Sequence, residues 1–225
     1  MSKETKQTPV EQARTATEEA VKYSENISAE VRDITIEALR RHQLDLEHIK
    51  AVIRAVLAGA EDAAKLNSDR MKETLKEVTE GLDEALGKSA YASKLAIEET
   101  AGRIKDFTEY DLKRAMDDLS ALEDIFIESL DEVANSSKTV ASDTLQDLAN
   151  HFKNSGTAVG QQASEEIINL SKQIEKTGME NMAAISEATK SFAEDIARAA
   201  SGFLGGIADS IKETKKENQT SKKED

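Results

Sequence analysis

Apolar side chains return every three or four positions along almost the whole chain, and no stretch alternates between apolar and polar residues as a half-buried β-strand would. Because residues three and four apart share one face of an α-helix, this spacing predicts helices that each carry one apolar stripe. Proline occurs once, at Pro9, where it suits the first turn of a helix. The sequence therefore predicts an all-α protein of long amphipathic helices, arranged as an elongated bundle or a coiled coil.

The same pattern gives the organisation of the chain. Residues 1–8 and 212–225 are polar and without periodicity, so we expect a disordered tail on each side of one helical domain over 9–211. This domain could divide near 103–108 and near 154–160, where polar residues and glycine interrupt the apolar spacing.

Helix ends are predicted from capping residues and from glycine. Ser28 suits the N-cap of a second helix and Asp45 that of a third, whose apolar positions continue to Ile97. Within this long run Gly87 is the expected break, because a glycine inside a helix costs about 1 kcal/mol relative to alanine. After the joint at 154–160 the helical pattern continues to the region of Ile211.

Two apolar stripes are candidate contact faces. The first centres on Phe126, and the second centres on Phe203 and includes small residues that permit a close approach between helices. The second stripe fits ordinary bundle core as well as it fits a face that docks on a surface or on a partner helix. The side chains assigned to the two faces are Leu112, Met116, Leu119, Leu122, Phe126, Leu130, Val133, Phe192, Ile196, Phe203, Leu204, Ile207 and Ile211.

Composition limits the core and the cell compartment. Leu, Ile, Val and Phe make up 47 of the 225 residues, about a fifth, which favours thin helical packing over a thick core. The absence of cysteine excludes disulfides, thiolate metal sites and cysteine nucleophiles, and it fits a reducing compartment. We find no signal peptide and no apolar stretch long enough to cross a bilayer, so we expect a cytoplasmic protein.

The chain is strongly acidic, with 44 carboxylates against 30 Lys and Arg residues and a net charge of −14. Residues 106–147 alone carry twelve carboxylates against three basic residues. A field of this sign repels phosphate backbones, so nucleic acid is excluded as a partner, and it also opposes anionic lipid.

The chain offers little that could support catalysis or bind a cofactor. The segment Gly81–Ser89 resembles a phosphate-binding loop, but its spacing is one residue too long and a predicted helix precedes it. Asp45, His48, Asp147 and His151 lack the ligand number and spacing of a metal site in a helical bundle. Most of the carboxylates are interpreted as a solvated polar face. We therefore expect no enzyme, no catalytic residue, no metal and no cofactor.

Three stretches carry a resemblance to a known family, namely AVIRAVLAGAEDAAKL, KSAYASKLAIEETAGRIKDF and NMAAISEATKSFAEDIARAASGFLGGIADSIKE. In these alanine-rich amphipathic segments the chain resembles the phasins, small bacterial helical proteins that coat polyhydroxyalkanoate storage granules, and a phasin-like group without an assigned function. The resemblance implies that apolar helix faces meet the polyester while acidic faces meet the cytosol, so that coated granules do not fuse.

The sequence hypothesis is a non-enzymatic, self-associating protein that binds a hydrophobic inclusion through its apolar helix faces, with a cytoplasmic and granule-associated location. The alternative is a coiled-coil scaffold or regulator that acts through protein–protein contacts. A third interpretation is a hydrophilic stress protein whose helices order only on drying or on contact.

Overall fold

The computed structural model describes residues 7–40, 46–65, 68–103, 109–137 and 140–177. These residues form seven α-helices, and no strand occurs among them, so the prediction of an all-α fold is confirmed. In chain order the helices are α1 (Pro9–Tyr23), α2 (Ile27–Arg40), α3 (Leu46–Ala64), α4 (Met71–Arg103), α5 (Glu109–Ser136), α6 (Val140–Ser155) and α7 (Ala158–Thr177). A short 3-10 turn, Ser68–Arg70, precedes α4.

The start of α1 follows directly from the residues around Pro9. Thr8 accepts a hydrogen bond from the backbone N–H of Glu11 at 3.2 Å, and the Glu11 carboxylate accepts one from the N–H of Thr8 at 2.8 Å. This is a reciprocal capping box, which satisfies two backbone donors that a helix start otherwise leaves unpaired. The start of α2 differs from the prediction, because Asn26 rather than Ser28 caps it by accepting from the N–H of Ala29.

The long apolar run predicted after Asp45 is two helices, and the break does not fall at Gly87. The run stops after α3 and resumes at Met71, whereas α4 continues without interruption through Gly81 and Gly87. Asp45 itself lies outside the described residues, as do the tails at 1–6 and 212–225 and the predicted helix beyond Thr177. The joint expected near 154–160 is present, since α6 ends at Ser155 and Gly156 adopts a positive φ of 77°.

Helices contact partners that are not their neighbours in the chain. The most extensive pairs are α1 with α3, α2 with α4 and α4 with α7, followed by the chain neighbours α5 and α6, and α3 also packs on α5. Lys50 pairs with Glu128 at 2.8 Å and Arg54 pairs with Glu132, so α3 and α5 run parallel. All seven helices contribute to one apolar core, in which Phe126 is fully buried and lies 5.3 Å from the Phe152 ring.

Glycines inside α3 and α4 permit close helix packing instead of ending the helices. A Cβ on Gly59 would overlap the backbone carbonyl of Arg14 in α1, and a Cβ on Gly81 would overlap that of Ser28 in α2. At Gly87 an added Cβ would meet the carbonyl oxygen of Ala158 at 3.5 Å, which is ordinary van der Waals contact. Substitution by alanine is therefore expected to destabilise the protein at Gly59 or Gly81 and to stabilise it at Gly87.

We expect Gly59→Ala to lower the free energy of unfolding by about 1–2 kcal/mol, because overpacking exceeds the gain in helix propensity. Gly87→Ala should raise it by about 0.5–1 kcal/mol, since only the propensity gain applies there. Urea unfolding followed by far-UV circular dichroism measures both. A stabilising Gly59→Ala would contradict the close contact between α1 and α3.

Candidate functional site at the contact between α4 and α7

The first predicted contact face points into the bundle. Leu112, Leu119, Leu122, Phe126, Leu130 and Val133 are buried, and Met116 is partly buried. The side chains of α3, α6 and α7 cover this stripe because they pack against α5 from within the same chain. In this structure the stripe is core and is not open to a partner. The second predicted face, with Phe192, Ile196, Phe203, Leu204, Ile207 and Ile211, lies outside the described residues.

The polar groups of most interest lie between α4 and α7, where sequence reasoning placed none. Asp83 of α4 is 7% exposed, and its carboxylate accepts hydrogen bonds from the N–H of Ala158 at 2.7 Å and of Val159 at 2.9 Å. The first backbone N–H groups of a helix lack partners within that helix. A carboxylate from another helix therefore caps the start of α7 and also meets the positive end of its dipole.

A second carboxylate supports the same helix start from α5. The hydroxyl of Thr157 donates to Glu123 at 2.7 Å and accepts from the N–H of Gly160 at 2.8 Å. A Cβ on Gly160 would overlap the Glu123 carboxylate, so a larger residue at this position would displace that carboxylate. The beginning of α7 is thus held by α4 and α5 together.

Burial raises the pKa of the Asp83 carboxyl, and the negative charge of Glu123 adds to that rise. The two N–H donors of Ala158 and Val159 oppose it by stabilising the ionised form. The net direction is upward because the loss of hydration is the largest effect.

A third polar group lies further along the same contact. Lys94 Nζ lies 3.1 Å from Glu98 Oε1 on α4 and 4.0 Å from Glu166 Oε2 on α7. Glu98 is 1% exposed and Glu166 is 4% exposed. Gln162 donates to the other Glu166 oxygen at 2.5 Å. In the described part of the chain, Glu98 Oε2 and Glu166 Oε2 are buried without a hydrogen-bond donor, and Glu98 Oε1 has only the Lys94 ammonium near it.

Asp83, Glu98 and Glu166 are therefore exceptions to the expectation that most carboxylates form a solvated face. A signal was present in the sequence, because Asp83, Gly87 and Lys94 lie four and then seven residues apart, which puts them on one face of α4. This face lies beside the Leu82 and Leu86 stripe and meets α7. Sequence reasoning followed the large apolar residues and missed the narrower polar stripe next to them.

The other motifs singled out in the sequence fall on helices. Gly81–Ser89 lies entirely inside α4, and Asp147 and His151 lie on α6. His48 Nε2 lies 3.4 Å from the carbonyl oxygen of Ala38. Within the described ranges, no three His, Asp or Glu side chains are grouped as a metal site would require. Across those same ranges, no helix combines the length and hydropathy needed to span a membrane.

A groove of about 360 Å³ lies elsewhere, between α1 and α2. Its apolar lining comes from Pro9, Ala13, Ala16, Ile34 and Ala38, and its charged lining residues are Glu30, Asp33 and Glu37. Asp33 pairs with Arg32 at 2.8 Å and Glu37 pairs with Arg40 at 2.7 Å, both outside the lining.

Comparison with known proteins assigns a family. The model of a family of unknown function (DUF6781) matches residues 3–213, so the chain belongs to this family. No curated protein and no solved structure matches the chain.

We predict that Asp83→Asn changes the pH dependence of stability. The pKa of Asp83 is higher in the folded protein than in the unfolded chain. The free energy of unfolding of the wild type should therefore fall relative to that of D83N as the pH rises from below the unfolded pKa through the folded pKa. Above the folded pKa the difference between the two proteins should stay constant. Urea unfolding between about pH 3 and pH 7 measures the difference. Asp124→Asn, at an exposed position of α5, controls for the loss of one negative charge. A difference that grows in favour of the wild type with rising pH would show that the two N–H donors outweigh burial.

Proposed function

We propose that this member of the family is a non-enzymatic helical protein that coats a hydrophobic inclusion in the manner of the phasins it resembles. Residues 192–211 supply the contact in this proposal, and the bundle presents its charged faces to the surrounding water. Self-association of the coat through the same segment is part of the proposal.

One observation carries the proposal: the apolar stripes of the described helices are turned towards their shared core. The large hydrophobic side chains exposed in that part of the chain are Tyr23, Tyr110 and Ile168, which lie on three different helices. Single exposed hydrophobic residues are normal on a monomer and do not form a contact patch. An apolar contact face of useful size therefore has to come from elsewhere in the chain, and the Phe203 stripe is the candidate.

Charge favours a neutral surface over a membrane. Helices that lie on anionic lipid carry Lys and Arg along their polar face, whereas this chain has a net charge of −14. A polyester particle carries no fixed charge to oppose the protein, and apolar burial contributes about 25 cal/mol per Å².

The test is co-sedimentation of the purified full chain with polyhydroxyalkanoate granules and with anionic liposomes at moderate salt. We expect binding to the granules and not to the liposomes. The double substitution F203E/I207E should weaken granule binding at least about tenfold, because each large apolar side chain contributes about 1.5–3 kcal/mol when buried.

Ile168→Glu is the matched control, since Ile168 is an exposed isoleucine on α7 outside the segment 192–211. It should bind like the wild type. Thermal unfolding of each variant checks that the bundle is intact. A folded wild-type protein that stays in the supernatant would refute the coat function.

The groove between α1 and α2 favours a second candidate function, which is binding of a partner protein. Its lining is apolar at the floor and acidic at the rim, as suits a helix that presents an aliphatic side chain flanked by Lys or Arg. The partner of this candidate function is a basic amphipathic helix.

We predict that a synthetic peptide of about 15 residues, with leucines on one helix face and lysines on the other, binds the groove more weakly as salt rises. Ile34→Asp should reduce its affinity at least about tenfold, because the groove loses its largest aliphatic side chain. Tyr23→Asp, at an exposed site on α1, controls for the added charge. Equal losses in both variants would show that the peptide responds only to the overall charge of the protein.

A further inference from the structure

The contact between α4 and α7 combines charges that are not balanced. Two buried carboxylates, Glu98 and Glu166, share one ammonium group, that of Lys94. Glu98 Oε1 has the Lys94 ammonium at 3.1 Å, whereas Glu98 Oε2 and Glu166 Oε2 have no hydrogen-bond donor in the part of the chain that the structure describes. Removing a carboxylate from water costs several kcal/mol, and a single charge partner offsets this only when hydrogen bonds satisfy the remaining oxygens. This contact is therefore weaker than its apolar area suggests.

The connection before α7 is short and contains a glycine in the left-handed region. Gly156 has a φ of 77°, and a Cβ added to it would meet no atom within 4 Å. Its N–H closes α6 by donating to the carbonyl of Phe152, and α7 begins two residues later. Rotation of the backbone at Gly156 moves the whole of α7, so it also breaks the hydrogen bonds of Asp83 and Glu123 to that helix start.

We infer that α7 is a movable strap, which separates from α4 by rotation at Gly156 while α1 to α6 remain packed. Once separated, α7 is a single helix of 20 residues, and an isolated helix of this length is marginally stable in water. Opening exposes Val159, Ala163 and Leu170 of α7 together with the faces of α4 and α5 that they cover. If the proposed coat function holds, opening adds a second apolar face that precedes residues 192–211 in the chain.

The absence of cysteine in the chain permits a direct test. Ala163 on α7 is 3% exposed and Ala60 on α3 is 0% exposed, so a thiol at either position reacts only when its contact opens. In native buffer, Ellman's reagent should modify the A163C variant at least about tenfold faster than the A60C variant, because regions of low local stability open without global unfolding.

Two further substitutions, each added to A163C, test the cause. Glu98→Gln removes a buried charge but keeps the shape, so it should slow modification about fivefold or more. Lys94→Met removes the one cation that the described residues place beside both carboxylates, so it should accelerate modification by a similar factor. Neither Glu98→Gln nor Lys94→Met should change the rate at which Ellman's reagent modifies the A60C variant. Equal rates for A163C and A60C would overturn the inference, as would a rate for A163C that neither Glu98→Gln nor Lys94→Met changes.

Hydrogen exchange of the unsubstituted chain gives an independent measurement, in case a cysteine variant does not fold. Amides of residues 158–177 should exchange at least about tenfold faster than those of residues 46–64. Uniform exchange across the two segments would show that α7 opens only when the whole bundle unfolds. Neither measurement uses an inclusion surface, so each can fail while granule binding succeeds.

Discussion

The mutual covering of narrow apolar stripes is the constraint on which the rest of this structure depends. Large aliphatic and phenylalanine side chains make up only about a fifth of the chain, so no helix can be covered by one neighbour alone. Most helices pack against helices that are not their neighbours in the chain, as α2 does against α4 and α4 against α7, while α6 packs mainly on α5. Gly59 and Gly81 let backbones approach closely, which gives dispersion contacts that bulky side chains would prevent. The acidic outer surface follows, because the apolar residues are used inside.

The polar contacts at α7 depart from this scheme. Asp83 and Glu123 hold the first turn of the helix through directed hydrogen bonds, whereas Glu98 and Glu166 are buried with only one ammonium group between them. The polar groups at the start of α7 thus have hydrogen-bond partners, whereas one carboxylate oxygen of Glu166, in the middle of the helix, has no donor among the described residues. Because two of these buried carboxylate oxygens lack a donor, we infer a lower opening free energy for α7 than for the other helices. The opening of α7 connects the fold to the proposed function, because a coat protein has to expose apolar surface that a packed bundle buries.

Periodicity was sufficient to predict the fold class, because a spacing of three and four fits no other regular structure. It did not predict where glycine ends a helix, since the role of Gly87 depends on the backbone of Ala158 that faces it. The Phe126 stripe was recognised as an apolar face, but periodicity does not say whether the covering partner is the same chain or another one. Asp83 and Glu98 were missed because their burial results from α7, which begins 60 or more residues away from them, and Glu166 was missed because its burial results from α4.

The central claim is that one chain covers its own apolar stripes. The most direct measurement is the urea midpoint of unfolding, followed by far-UV circular dichroism, over a range of about a hundredfold in protein concentration. A self-contained bundle predicts a midpoint that does not change with concentration. A midpoint that rises steadily with concentration would show that the stripes, including that of Phe126, need a second copy to cover them, and would contradict this account.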